Sequence, residues 1–521
     1  MLCHPYDWCV GQRSRQVGVA SDGVSVEQIS AVVYHPLLDE VTALKVSQRM
    51  TLTNLRLVCL GILLLGETAG LGQSSVKPPQ SPLTLDQAVD FALANYPAVR
   101  ASMERALASK QGISLSRTTY LPRTDLLWQS NRATRNNIFG LYLPQAVVPP
   151  ISGPVLSSTS DHGVWGSMAG ILLSWEPFDF GYRGANVDVA KAIENRANAE
   201  LSLTKLDVAG AVGDAFLRLA AAQQQVKAAE ADVDRRQVLA TSVHALVKEE
   251  LRPGADASRA DAELAAAKIL FIRSQQVERE SEATFAELLG ISGSNVAINA
   301  DSLLAAPATS YASQSTLKNH PAALVANSTL FETKAREKVL STSYYPRFNL
   351  QGSFSGRGSG ANADGTFGTG TDGLDLMRHN WAVGLTATFS VLDFPSLHFK
   401  KQIEQSNERA QRADYDKTIQ SLTAQAERAK AAYDGAVLIS QNTPVELEAA
   451  RLGEQQATAR YRAALAPIVE VAEAQRLLLQ AETEDNLARL TLWRSILGEA
   501  LAQGDLQPFL ELARKHAAGG H

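Results

Sequence analysis

The sequence predicts a mainly α-helical protein with a small transmembrane β part, organised as two copies of one strand–strand–long helix–helix unit. Three observations predict it. Pro-marked motifs recur at matched spacings in the two halves, each half carries a very long Ala-rich stretch with few breakers, and short runs of alternating polarity precede each long stretch.

The recurrence is the firmest of the three. Asn95-Tyr96-Pro97-Ala98 leads to Tyr120-Leu121-Pro122-Arg123, and Asn319-His320-Pro321-Ala322 leads to Tyr344-Tyr345-Pro346-Arg347, with 25 residues separating the two prolines in each case. Two strand-like runs follow, separated by a polar, Gly-containing loop, and then Asp179-Phe180 or Asp393-Phe394. From each Asp the next strong turn signal, Pro253-Gly254 or Pro467, is 74 residues on. Two copies of one unit describe this better than two unrelated domains.

In the first long stretch Val226, Val233, Ala240 and Val247 recur every seven residues, with Ala229 and Val243 at an offset of three, which is coiled-coil spacing. A helix over residues 183–249 would be about 100 Å long at 1.5 Å per residue. Beyond each tip signal the chain turns back as a shorter helix, over 255–289 and 468–501. Residues 98–119 and 321–342 also read as helices, on the same side of the strands as the long helix. Pro444 is expected to kink or interrupt the second long helix.

Strands are expected over 124–131, 165–175, 348–354 and 381–391. The last puts Trp381, Val383, Leu385, Ala387, Phe389 and Val391 on one face. Four of the six tryptophans, Trp128, Trp165, Trp175 and Trp381, fall in these runs, as a girdle at a bilayer interface requires. Four strands cannot close a barrel, for which about eight are the minimum, and lipid tolerates no open edge. Either the chain pools strands with its own copies, or the strands form a soluble sheet with one wet face.

Export favours the first. The apolar window at residues 57–65 is too short for the ~20 residues of a hydrocarbon crossing. It reads as a signal-sequence core, with Met50 a candidate start, Arg56 the basic flank, and Ala69, Gly70 and Gly72 a cleavage site near Gly72. The chain then divides into a leader and signal peptide (1–72), a first repeat (73–300), a second repeat (301–505) and a C-terminal tail (506–521). Cys3, Cys9 and Cys59 all precede the cleavage point, so the processed chain has no thiol for a disulfide, a metal or nucleophilic attack. The net charge of −5 offers no basic footprint, so no nucleic-acid partner is expected.

With these motifs in order, residues 82–502 resemble the TolC family of outer-membrane efflux and secretion channels. Trp175-Glu176-Pro177-Phe178-Asp179-Phe180-Gly181 is similar to that family's strand-to-helix signature. The second copy departs from it, with Val391 at the place of Pro177 and Pro395 at that of Gly181. The resemblance implies a homotrimer with a 12-stranded β-barrel in the outer membrane, continuing into a 12-helix periplasmic α-barrel. It also implies a periplasmic adaptor (membrane fusion protein) and an inner-membrane transporter as partners.

Function would then reside at the helical tips. Glu470 and Glu473, three residues apart on one helical face just after the second tip, resemble the acidic rings that the family places at its periplasmic aperture. Crowded like charges there would raise one another's pKa and attract cations; the alternative is two solvated carboxylates. The first copy has Asp256 and Arg259 at the matching aperture positions, so the tips are not equivalent. Asp256 is a candidate to pair with a basic group and hold the mouth closed, although Ala466 occupies the family's usual basic position. Arg252, Pro253, Gly254, Leu465, Ala466 and Pro467 are candidate adaptor contacts.

Other chemistry is thinly represented. Gly356, Gly358 and Gly360 are not followed by the strand-to-helix turn of a phosphate loop and, with Asn362, Asp364, Gly365 and Gly373, read as a surface loop. No His-x-x-x-His pair or nucleophile–base cluster stands out, so neither an enzyme nor a cofactor or metal site is expected. The competing reading is a secreted periplasmic or surface coiled-coil adhesion or scaffold protein.

Overall fold

A computed structural model describes residues 79, 81–134, 159, 161–305, 316–362, 364 and 366–519. The leader and signal peptide, with Met50, the cleavage site and the three cysteines, lie outside the described residues, as does Gly365.

The described part begins with a helix not expected from the spacings, α1 (Leu85–Asn95), started by a Thr84/Gln87 capping box. Pro97 sits at the start of α2 (Pro97–Thr118), where its missing N–H costs nothing. Then come β1 (Arg123–Thr134), β2 (Gly163–Phe178), α3 (Tyr182–Lys248) and α4 (Gly254–Leu288). The second copy follows as α5 (Pro321–Thr342), β3 (Arg347–Ser359), β4 (Arg378–Thr388), α6 (Phe394–Arg462) and α7 (Ile468–Gln503), and α8 (Gln507–Gly519) ends it. The long helices have 67 and 69 residues, about 100 Å each.

Four helices lie abreast at every level. Next to the strands α3 packs on α2 and α5, and α5 on α6; towards the tips α4 runs along α3, and α7 along both α6 and α3. Gly210 and Gly213 bring α3 close to α7, because a Cβ at either place would press on Leu501 or Leu497. On the expected seam Ala229, Ala240 and Val243 are buried. The main core lies midway, around Phe216, Phe285, Trp493 and Phe509, all inaccessible to solvent. No helix among the described residues is long and apolar enough to cross a membrane.

Three expectations need correction. Within the segment expected as a tail, Gln507–Gly519 is a helix, and Leu506, Phe509, Leu510 and Ala513 have helical spacing and are buried against the main core. Gly356 and Gly358 belong to β3, not to a loop. They are tolerated in a strand because the chain near Gly373 to Leu376 folds back where their side chains would stand. Pro444 does not interrupt α6, which is continuous through it. The preceding residue, Thr443, is buried and donates its hydroxyl to Asp485 of α7 at 3.1 Å, tying the helix down where one backbone hydrogen bond is missing.

The strands form one antiparallel sheet in the order β1-β2-β3-β4. Among the described residues, the outer edges of β1 and β4 have no partner strand.

Candidate functional site

Two places combine the predicted residues: the sheet and the helical tips. Cross-strand register sorts the sheet into two chemically different faces. One row runs Leu126, Ile171, Phe354, Trp381; the adjoining row on the same face runs Thr124, Leu173, Gly352, Val383. Between these rows lies Asp125, Leu172, Ser353, Ala382 on the opposite face, followed by Leu127, Gly170, Ser355, Asn380 and Gln129, Met168, Arg357, Arg378. So one face is largely apolar and the other largely polar, the alternation of a strand between lipid and water.

All four expected tryptophans lie on the apolar face. Trp128 and Trp381 are 81% and 78% exposed there. Trp165 and Trp175 mark the two ends of β2, ten residues apart, or about 34 Å along the strand at 3.4 Å per residue. A strand tilt of ~40° reduces that to about 26 Å, the height of a barrel's apolar band. Trp128 and Trp381 stand between those ends.

At the opposite end of the long helices both tips use one backbone solution. Glu250 and Ala464 take positive φ of 59° and 62°. The next residue donates back to the helix, Leu251 N to Leu246 O at 2.9 Å and Leu465 N to Arg460 O at 2.8 Å, which is the Schellman pattern. Leu251 and Leu465 are left 69% and 72% exposed. Leu251 was missed in the sequence; the duplication that pairs it with Leu465 is the signal that finds it.

Arg252 joins the two tips. Its guanidinium donates to the Tyr461 carbonyl at 2.7 Å and lies 4.5 Å from the Tyr461 ring centroid. The Tyr461 hydroxyl in turn donates to Asp256 Oδ2 at 3.4 Å. Burial first, and the Asp256 carboxylate second, push the Tyr461 hydroxyl above its ordinary value, with Arg252 opposing. Asp256 therefore meets a tyrosine where a basic group was expected, and Arg252 supplies the cation from the other side. Arg259 sits 4.0 Å from Glu263.

Glu470 and Glu473 border one groove of about 520 Å³ between α6 and α7, with Gly453, Ala457, Val469 and Leu477. Each has an arginine from its own chain, Arg460 to Glu470 at 2.9 Å and Arg476 to Glu473 at 2.6 Å. The hydrogen bond from Arg476 holds the Glu473 carboxyl below its ordinary value, the opposite of what crowded carboxylates alone would do. Among the candidate adaptor contacts, Pro253, Gly254, Leu465 and Pro467 are exposed and Arg252 half-buried. Ala466 is a correction: at 5% exposure, packed beneath the tip, it offers a partner no surface.

Comparison with known proteins agrees with this architecture. The model of the family described as "Outer membrane efflux protein" matches residues 88–291 and 312–496, the two repeats. The outer-membrane channel OprN superposes with a TM-score of 0.63 at 19% identity, covering 81% of this chain and 89% of that one. The CmeC outer-membrane channel of Campylobacter jejuni gives 0.65 at 15% identity, covering 81% and 85%. Protein CyaE of Bordetella pertussis is 25% identical over 210 residues, a match that spans 40% of each chain.

Proposed function

Because the chain belongs to the outer membrane efflux protein family, and so to the outer membrane with an extension into the periplasm, we propose that it forms the outer-membrane conduit of a tripartite efflux pump or a type I secretion system. The conduit is a homotrimer. Each copy contributes four strands to a 12-stranded barrel and four helices abreast to a 12-helix tunnel. It works passively, without catalysis.

One observation carries this reading: among the described residues, a four-stranded sheet with a lipid-type face and a polar face has two unpaired edges. About eight strands are the fewest that close a membrane barrel, and an open edge in hydrocarbon leaves backbone groups unsatisfied. Identical copies remove both edges at once and enclose the polar face as a pore lining.

The tips form the periplasmic mouth. Arg252, Tyr461 and Asp256 link the two helical hairpins of a copy in a closed arrangement, and Glu470 and Glu473 face the space beside it. A periplasmic adaptor, carrying the inner-membrane transporter, docks on the exposed leucines Leu251 and Leu465 with Pro253, Gly254 and Pro467. The reading is tested by isolating outer membranes. A heat-sensitive trimer that conducts ions in a planar bilayer is expected; a water-soluble periplasmic monomer would overturn it.

A further inference from the structure

The duplication reaches individual strand pairs. Pro122 and Pro346 are 224 residues apart, and Asp179 and Asp393 are 214 apart. Shifting the β1–β2 pairs by those offsets turns Leu126 opposite Ile171 into Leu350 opposite Leu385, and Trp128 opposite Ala169 into Gly352 opposite Val383. Both resulting pairs are present in β3–β4. The remaining contact, β2–β3, joins one unit to the next, and the edges that would repeat it, on β4 and β1, are unpaired among the described residues.

We propose that β4 of one copy pairs with β1 of a second copy in the register of β2–β3, and that Arg123 of the second copy enters the β4–α6 junction to pair with Asp393. This rests on the homotrimer proposed above and specifies its seam. The pairs Trp175–Leu350, Leu173–Gly352 and Ile171–Phe354 become Phe389–Leu126, Ala387–Trp128 and Leu385–Ser130.

Face chemistry supports that register independently. Phe389, Leu126, Leu385 and Trp128, all more than half exposed in one chain, fall on the continuous apolar face. Thr386 meets Gln129 and Gly384 meets Asn131 on the polar face. A slip of one residue would turn Trp128 against polar-face positions.

The junction supplies the second support. Within one chain, β3 brings Arg347 to 4.1 Å from the Tyr182 ring centroid and 3.8 Å from Glu176. At the repeated site Ser396 and Ser390 stand in place of that tyrosine and glutamate, so the arriving Arg123 needs a different partner. Asp393 lies in the groove there, with Ser390, Ser396 and Lys400. Its counterpart Asp179 is taken by Arg183 at 2.7 Å, but Leu397 occupies Arg183's position in the second copy. Among the described residues Asp393 forms no ion pair in its own chain, while Arg123, with its side chain 79% exposed, reaches only Asp125. Leu392 and Leu121, 94% and 66% exposed, stand where Phe178 and Tyr345 cover Phe180 in the first junction. The same seam would bury them against Phe394.

Paired cysteines test the seam, in full-length chain with Cys3, Cys9 and Cys59 replaced by Ala and recovered from the outer membrane. On mild oxidation Trp128→Cys with Ala387→Cys, and Leu126→Cys with Phe389→Cys, should give covalent trimers. Trp128→Cys with Thr386→Cys points the thiols to opposite faces, and Trp128→Cys with Phe389→Cys is two residues out of register. Both should give about tenfold less. Preferential linkage of an out-of-register pair, or a native-gel trimer that none of the pairs links, overturns the register and leaves the homotrimer standing. Absence of a native-gel trimer in the cysteine-free parent overturns the homotrimer itself. For the ion pair, Asp393→Arg should lower the temperature at which the trimer dissociates, and Arg123→Asp added to it should restore most of the loss. No restoration removes the pair, with Lys400 then the cation for Asp393.

Discussion

The two strand-to-helix junctions begin from the same Asp-Phe pair and end with different chemistry. In the first, Asp179 accepts from the Gly181 N–H at 3.1 Å, the Arg183 N–H at 2.7 Å and the Arg183 side chain at 2.7 Å. Gly181 makes this possible with a φ of 90°. Arg183 also covers the Tyr120 ring at 4.8 Å and donates to the Thr119 carbonyl at 3.2 Å. In the second, Pro395 replaces that glycine, and its ring fixes φ near −65°. The chain turns instead through a 3₁₀ segment, Val391–Asp393, and the Asp393 side chain caps nothing. One junction is complete within its own chain; the other, beside the free edge of the sheet, is not.

The largest effect should separate the two aspartates. Asp179→Ala leaves Arg183, with a side chain 8% exposed, without its counter-charge, a loss of about 3–5 kcal/mol in this kind of buried pair. Asp393→Ala should cost no more than about 1 kcal/mol per seam, as for an ordinary accessible ion pair. Apparent melting of the detergent-solubilised trimer reads both. Equal losses would break the contrast between junctions.

Acid titration sharpens it. Burial by itself would raise the Asp179 pKa, but the hydrogen bonds from the Arg183 side chain and from the Arg183 and Gly181 N–H groups outweigh it. The carboxyl ends below its ordinary 3.8. A depressed folded-state value contributes stability that is full above the unfolded-state value and is lost as pH falls through the folded one. Wild-type trimer should therefore lose melting temperature from about pH 4 downward by more than Asp179→Asn does. Parallel curves for the two would show that Asp179 is not the linked group.

At the other end of the molecule the tips differ in the same manner, since Arg252 matches Ala466 under the 214-residue offset. Arg252→Ala removes the stacking on Tyr461 and a charge-assisted hydrogen bond, together about 1–3 kcal/mol, and should raise single-channel conductance by loosening the link between hairpins. Tyr461→Phe removes only the hydroxyl bond to Asp256, about 1 kcal/mol, and should raise it less. A larger rise for Tyr461→Phe would reverse the roles given to the two contacts.

Long-range architecture was legible in the sequence because it is written in spacings. The helix ends found at Tyr182, Lys248, Gly254 and Ile468 lie within a residue of those read from proline positions and Ala-rich runs. Three of the four strands are longer than their expected ranges, since β1 alternates weakly and the glycines of β3 look like loop until the overlying chain is seen. The fourth lies three residues earlier than expected, at Arg378–Thr388, because Phe389 and Val391 continue its alternation into the turn. Leu506, Phe509, Leu510 and Ala513 carry a helical period too short to stand out from spacing alone. At the tips, positions were legible and partners were not. No spacing rule connects Arg252 to Tyr461, 209 residues away in the chain, and only the packing of α3 on α7 brings them together.

The smallest effect expected is at Glu470 and Glu473, and its sign is informative. Each glutamate is already matched by Arg460 or Arg476 of its own chain, so the four side chains together carry no net charge. Replacing both glutamates with Ala exposes two arginines per copy at the mouth and should move the reversal potential under a salt gradient towards anions. Removing Arg460 and Arg476 as well should bring it back near the parent value. If the glutamates instead act as a bare acidic ring, the fourfold variant should stay as weakly cation-selective as the double one. An unchanged reversal potential in the double variant would mean that neither carboxylate faces the conduction path.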